Sequence, residues 1–296
     1  MNKTAILYIC TGKYEVLWKE FYESSEKFFI PDAHKEYFVF TDAKKIEYEE
    51  NNTRIHRLPQ ESLAWPYATL LRFKMFCSIK EEILKFDYVF FFNANAKIIK
   101  PISGKMILPT GKKDGGLTVV THPAYFKCER YDFPYDRNFN SLACVKHGHG
   151  KVYVQGCLIG GNTKAFYKMS EKLNRDIDKD LKNGVIALWH DESYLNRYII
   201  GKKYKLLPPT FACNIFSPND EDIIHMRPKQ LYFDVNNLKA NERKAILSKR
   251  NERINLNKYR KEKRRKTFFN DIKYVKEEKG FIYSVFWAIK NFYKVF

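Results

Sequence analysis

Short apolar runs alternate with amphipathic stretches along the first two-thirds of the chain. "TAILYIC" (4–10) reads as a buried strand that stops at "TGK", a loop containing Gly12. Leu17, Phe21 and Phe28 then share one helical face, and "EYFVFT" (36–41) forms a second strand closed by Asp42. "DYVFFFN" (87–93) is a third strand, preceded by a helical stripe of Leu70, Phe73, Phe76/Cys77 and Ile83/Leu84. "GLTVVTH" (116–122) repeats the strand pattern and exits at His122. After Gly161 the spacing predicts a helix capped by Asn162 or Thr163, with Phe166, Met169, Leu173, Ile177 and Leu181 facing inward. Strand–helix–strand alternation predicts an α/β fold whose mostly parallel sheet is flanked by helices. Ligands of such sheets bind beyond the carboxyl ends of the strands, where the Gly12 turn and the Asn93–Asn95 turn both fall.

The pattern breaks near residue 238. Residues 239–266 hold thirteen cations against three carboxylates, which is +10 of the chain's net +19. Aromatics dominate the last thirty residues, and "FIYSVFWAIKNFYKVF" (281–296) puts Ile282, Val285, Phe286, Ile289, Phe292 and Phe296 near one side of a helix. We therefore divide the chain into an α/β domain, 1–238, and a basic, aromatic helical extension, 239–296. So large a positive charge points to an anionic partner: nucleic acid, phosphate-bearing substrate or anionic membrane. No RNP, KH, helix-turn-helix or zinc-finger pattern accompanies it, which argues against nucleic acid. The six cysteines form no CxxC pair, as expected of reduced thiols in the cytoplasm. The apolar run at the N-terminus is too short for a signal peptide, and no segment reaches the roughly 18 apolar residues of a spanning helix. A cytoplasmic location, with the extension on the inner face of a membrane, is the expectation.

Four stretches carry candidate chemistry, and each has a plain structural alternative. In "FFNAN", Asn93 and Asn95 stand where an aspartate pair would hold a divalent cation; amides offer hydrogen bonds but no charge, and the alternative is a polar turn. "WHDES" (189–193) sets Trp189, with a flat face for a sugar, beside His190, Asp191 and Glu192; the alternative is an acidic helix start. "QGCLIGG" (155–161) allows close backbone approach at Gly156, or is a strand-to-helix turn. Arg72 in "AWPYATLLRF" contacts an anion or sugar, or it snorkels to the surface, the reading its position alone favours.

Taken together, "YICTGKY", "YFVFTD", "WPYATLLRF", "FFNAN", "THPAY", "YVQGCLIGG" and "WHDESYLN", in this order, closely resemble glycosyltransferase family 6 over roughly residues 4–230. That family includes the blood-group A and B transferases and α-1,3-galactosyltransferases. The resemblance implies a GT-A fold and transfer of Gal or GalNAc from the UDP sugar, α-1,3, with retention. It implies donor contacts from Ile9, Cys10, Thr11 and Tyr14 (uridine), Trp65, Arg72, Asn93, Ala94, Asn95, Gln155, Gly156, Cys157 and Lys229, the last at the diphosphate. Glu192 matches the catalytic carboxylate, and His122, Trp189 and Asp191 the acceptor side of the pocket.

Two departures matter. Animal members carry Asp-x-Asp where this chain has Asn93-Ala94-Asn95; bacterial members look like this chain, and the resemblance implies that they need no metal. No cofactor is therefore expected, and Arg72 and Lys229 must answer the leaving group's charge. The second departure is "FPYDRN" (133–138) in place of a Tyr-Glu-Arg-Arg stretch, which puts acceptor contacts there in doubt. The expected partners are a UDP-sugar donor, an oligosaccharide or glycolipid acceptor and an anionic membrane surface. UDP-galactose is favoured, because the position of Cys157 sorts donors by size in the family, with UDP-GalNAc as the alternative.

Overall fold

The computed structural model describes residues 2–111, 113–214 and 219–234 and, in the C-terminal part, 268–269, 272–273, 275–277 and 279–292. All four predicted strands form within two residues of their expected bounds: β1 (Lys3–Ile9), β2 (His34–Thr41), β4 (Tyr88–Phe92) and β6 (Leu117–Thr121). They join β3 (Ile55–Pro59), β7 (Val154–Asn162) and β8 (Lys205–Leu207) in a seven-stranded sheet of order β3-β2-β1-β4-β7-β6-β8. Only β7 runs against the others, so the sheet is mostly parallel, as the α/β expectation and a GT-A fold require. A second sheet sets β5 (Ala96–Ile98) against β10 (Ile224–Met226) and β9 (Cys213–Asn214).

Both faces of the large sheet are covered, which is why its strands read as unbroken apolar runs rather than alternating ones. Ile6 and Tyr8 of β1, with Phe90 and Phe92 of β4, meet Trp18 and Phe21 of α1 (Trp18–Phe28). Ala5, Leu7, Val89 and Phe91 face the other way. There they meet α2 (Tyr67–Leu70), α3 (Arg72–Ser78), α4 (Lys80–Ile83), α6 (Thr163–Lys182) and α7 (His190–Ile199). The short α5 (Gly104–Ile107) precedes β6. Asn162 caps α6 by accepting from the Lys164 N–H, 3.1 Å, and Phe166, Met169, Leu173 and Ile177 are buried as predicted.

Two expectations are corrected. The helical stripe of 70–84 is three short helices, because Leu71 (φ −93°, ψ 11°) and Ile79 (φ −113°, ψ 37°) leave helical geometry. "QGCLIGG" is not a strand-to-helix turn but most of β7. Its Gly160 lets Phe90 lie flat across the strand, where a Cβ would come within 2.0 Å of the ring. Strands β3 and β8 were not foreseen: β3 buries only Ile55 on a polar edge, and β8 is three residues long.

The extension contributes α8 (Phe281–Phe292). It docks on the segment 130–133: Trp287 Nε1 donates to Asp132 Oδ1, 2.8 Å, the Tyr283 and Tyr131 hydroxyls lie 3.1 Å apart, and Tyr131, Phe268, Val275 and Trp287 share a small core. The basic stretch 239–266 and Phe296 lie outside the described residues. Among the described residues no helix is long and apolar enough to cross a membrane.

Candidate active site

Because β7 is antiparallel, its first residues, not its last, stand at the carboxyl ends of β4 and β6. There the ladder is irregular: consecutive Val119 and Val120 of β6 pair with Ile159 and Gln155, so Gly156–Leu158 bulge out of register. The backbone of Gly156 is thereby free for side chains. Its N–H donates to Glu192 Oε2, 2.9 Å, and its carbonyl accepts from Arg72 Nη1, 2.6 Å. A Cβ here would come 3.1 Å from Asp191 Oδ2 and 3.7 Å from Arg72 Nη1, which explains the glycine.

Helix α7 brings up the acidic pair. Asn196 fastens it to β7, accepting from the Val154 N–H and donating to the Val154 carbonyl, 2.9 and 2.8 Å. One turn earlier, Glu192 Oε1 accepts from the Tyr153 hydroxyl, 2.9 Å, so both carboxylate oxygens are held. Asp191 is buried and pairs with Arg72 Nε at 3.1 Å. Burial pushes Asp191 up to about 6 against the pull of Arg72. Burial likewise pushes Glu192 up to about 7; the Gly156 N–H opposes this, Asp191 adds to it, and the Tyr153 hydroxyl pulls back. Arg72 itself is buried, lies over the Phe91 ring and is not the surface residue that its position alone favoured.

A cleft opens beside this cluster. Of the predicted donor residues, Ile9, Thr11, Tyr14, Trp65, Arg72, Asn93, Ala94 and Lys229 line it, with Lys13, Ser62, Leu63, Thr69 and Phe91 beside them. Three cations, Lys13, Arg72 and Lys229, face the cleft, and among the described residues no carboxylate does. Lys229 Nζ sits 4.9 Å from the Tyr14 ring centre. Gly12, at φ +59°, turns its N–H to Asp42 Oδ1, 2.7 Å, and shapes the loop after β1. Cys10 is buried in the core, where burial pushes its thiol up to about 12.

The two asparagines separate. Asn93 lines the cleft, and its N–H donates to the Cys157 carbonyl, 2.8 Å. Asn95 points inward: its Nδ2 donates to the Arg227 carbonyl and its own carbonyl accepts from the Arg227 N–H, both 2.8 Å. Asn95 Oδ1 is buried with no hydrogen-bond partner among the described residues. Beneath the turn the buried Arg227 guanidinium reaches the carbonyls of Leu17, Ala94 and Ala96 at 3.0, 3.3 and 3.3 Å. Gln155 and Cys157 sit on β7 with Sγ donating to Gln155 Oε1, 3.3 Å, and neither lines the cleft.

On the far side of Glu192, the His122 ring lies tilted against those of Tyr125 and Tyr153, with ring centres 4.8 and 5.7 Å away, and burial pushes it down to about 4. Trp189 is 37% exposed, open to a ligand face. His190 starts α7 in left-handed geometry, φ +51°, with its ring 5.1 Å from that of Trp65. Asp136 of "FPYDRN" is buried; its Oδ2 accepts from the Leu188 N–H, 2.7 Å, so it braces the approach to α7. Sequence reasoning missed Tyr153, Asn196 and Arg227. Tyr153 and Asn196 lie inside quoted motifs and Arg227 two residues before Lys229, but nothing local distinguishes them from core residues.

A family model for glycosyltransferase family 6 matches residues 3–239. The chain is 35% identical over 226 residues to the O-antigen biosynthesis glycosyltransferase WbnI of Escherichia coli, covering 76% of this chain and 94% of that protein. It is 28% identical over 240 residues to human globoside alpha-1,3-N-acetylgalactosaminyltransferase 1, covering 77% of this chain and 66% of the human one. To the rat histo-blood group ABO system transferase 1 it is 24% identical over 207 residues, 68% of this chain and 58% of the other.

Proposed function

The chain belongs to glycosyltransferase family 6 and is a hexosyltransferase, and we propose that it is a retaining, metal-independent α-1,3-galactosyltransferase. It moves galactose from UDP-galactose to a galactose-terminated glycan, fucosylated or not, of a cell-surface precursor. One observation carries this: a carboxylate, Glu192, held at both oxygens beside a cleft faced by three cations. In the reaction the bond from the anomeric carbon to the diphosphate breaks and UDP leaves with the electron pair. Arg72 binds the sugar, while Lys13 and Lys229 take up the charge on the diphosphate. Glu192 answers the positive charge at the anomeric carbon, and the acceptor hydroxyl bonds to that carbon from the face UDP leaves. Its proton passes to the departing phosphate oxygen.

The metal-free reading is supported by the turn: Asn93 is neutral, and Asn95 does not line the cleft and donates its Nδ2 to the Arg227 carbonyl. The E. coli relative's name supports an O-antigen-type acceptor. A UDP-release assay tests the reading, with UDP-galactose and UDP-GalNAc, each with and without EDTA, over a panel of galactosides. Turnover of neither donor would refute it, and preference for UDP-GalNAc would reassign the donor.

We also propose that the enzyme works peripherally on an anionic membrane, at its cytoplasmic face. Helix α8 is inverted for a helix facing water: Ser284, Trp287 and Asn291 are turned inward, while Ile282, Phe286 and Ile289 are 74%, 70% and 66% exposed. Such a face suits a lipid interface, and the basic stretch before it adds up to roughly 1 kcal/mol per cation near anionic lipid. Sedimentation of the full chain with anionic and neutral vesicles tests this. Equal, weak pelleting of wild type and an Ile282→Asp/Phe286→Asp variant would sink it.

A further inference from the structure

We propose that Tyr153 is a positioning residue for the catalytic carboxylate: its hydroxyl, fixed by the aromatic cluster of the acceptor side, aims Glu192 and holds it in the charged form. This rests on the reading of Glu192 as the group that meets the anomeric carbon.

Tyr153 is 2% exposed, at the last position before β7. Its ring is packed by rings from two separate segments: Tyr125 at 5.2 Å on one, Phe133 at 6.3 Å and Tyr135 at 5.5 Å on the other. Its backbone is tied as well, since the Tyr153 carbonyl accepts from the His122 N–H, 2.9 Å. With ring and backbone fixed, the hydroxyl has one place to go, and it donates to Glu192 Oε1. The Gly156 N–H takes Oε2. Two donors on opposite oxygens of one carboxylate set its plane, which a single bond does not.

The hydroxyl matters electrically because burial above all, and one neighbouring carboxylate, disfavour the charge on Glu192. Asp191 on the same helix repels it, and the Cys157 thiol on β7 is a titratable neighbour. Arg72 on α3 is attracted to it, yet is already committed to Asp191 and the Gly156 carbonyl. Tyr125 and Tyr135 face Tyr153 from behind, and burial holds the Tyr153 phenol protonated, well above its ordinary range, so it stays a donor at any working pH. Segments 122–125 and 133–135 therefore bear on Glu192 through one hydroxyl.

Tyr153→Phe removes that oxygen and keeps the ring. The acid limb of kcat, set by Glu192 near 7, should move up by about one unit. At pH 6.5 kcat should fall about tenfold, at pH 8.5 only a few-fold, with the KM for UDP-galactose within about twofold of wild type. Phe133→Leu is the control: it loosens the same cluster, so it should lower the melting temperature and leave the limb unmoved. Glu192→Gln belongs in the same series. If it retains activity, the reading of Glu192 fails. If it is inactive while Tyr153→Phe keeps the wild-type limb, or if Phe133→Leu moves the limb as far as Tyr153→Phe does, the role given to Tyr153 is overturned and Glu192 stands.

Discussion

Replacing Glu192 by Gln should abolish turnover and, at alkaline pH, make the protein more stable. The change is nearly isosteric: the Gln carbonyl can accept from the Gly156 N–H, and its amide can donate to the Tyr153 oxygen, so both bonds survive. What disappears is the charge. In the fold Glu192 is pushed up to about 7 from an ordinary 4.5, a displacement worth about 3 kcal/mol. Since the residue is only half-buried, solvent screens part of this, and about 2 kcal/mol is the expected effect. The sign follows from linkage. A carboxyl whose folded pKa is raised binds a proton more tightly folded than unfolded, so its destabilising contribution is absent below about 4.5, grows up to about 7 and is constant above. At pH 8 the variant should therefore melt about 5 °C higher, and at pH 4 at the same temperature as wild type. The kcat should drop at least about a hundredfold with UDP affinity little changed. Thermal melting at both pH values and UDP release at pH 8 decide. A variant that turns over within a few-fold of wild type, or one no more stable at pH 8, would refute the reasoning.

Chelation should leave turnover unchanged; activity that vanishes in EDTA and returns with Mn²⁺ would overturn the metal-free reading. Lys229→Met should weaken UDP binding about tenfold, measured by calorimetry, because a cation facing the cleft is lost while the packing on Tyr14 is kept; unchanged affinity would remove Lys229 from the diphosphate. Cys157→Gly should shift kcat/KM toward UDP-GalNAc if this position sorts donors as the family's does, since it removes the buried side chain and releases Gln155 from its thiol partner; an unchanged donor ratio would contradict the sorting role.

The strands were legible because a parallel sheet covered on both faces needs apolar residues at every position, and "AILYI" and "VFFF" supply them. Helix α6 was legible through its stripe and its Asn162 cap. β7 was not, since its glycines suggest a turn. Gly160 faces Phe90, Gly156 the Asp191–Arg72 pair and Gly161 the Gly116 carbonyl, and neighbours from distant sequence leave no local trace. The same holds for Arg72. A lone Arg after apolar residues reads as snorkelling until Asp191, over a hundred residues later, is folded against it. For Glu192 the motif told which residue, through the resemblance. That its two oxygens are held by Tyr153 and by a bulged glycine emerges only from the register shift between β6 and β7.

The Asn93-Ala94-Asn95 turn behaves as three separate devices, and this bears on why both ends are amides. Asn93 faces the cleft, and Ala94 gives its carbonyl to the Tyr8 hydroxyl, 2.7 Å, and to Arg227. Asn95 is buried and donates to the carbonyl of Arg227, the residue that follows β10. A carboxylate at 95 has no hydrogen to give the Arg227 carbonyl, so it would face that oxygen unpaired in a nearly dry place, a penalty of about 1–3 kcal/mol or more. An aspartate there would not present its carboxylate to the cleft, since the Asn95 side chain is buried against the Arg227 carbonyl. It would instead loosen the link that carries Lys229, two residues beyond Arg227, to the cleft. On the metal-free reading, the amide at 95 is therefore part of the cation's support: the turn that would hold a divalent ion by its carboxylates is used to hold the strand that delivers a lysine.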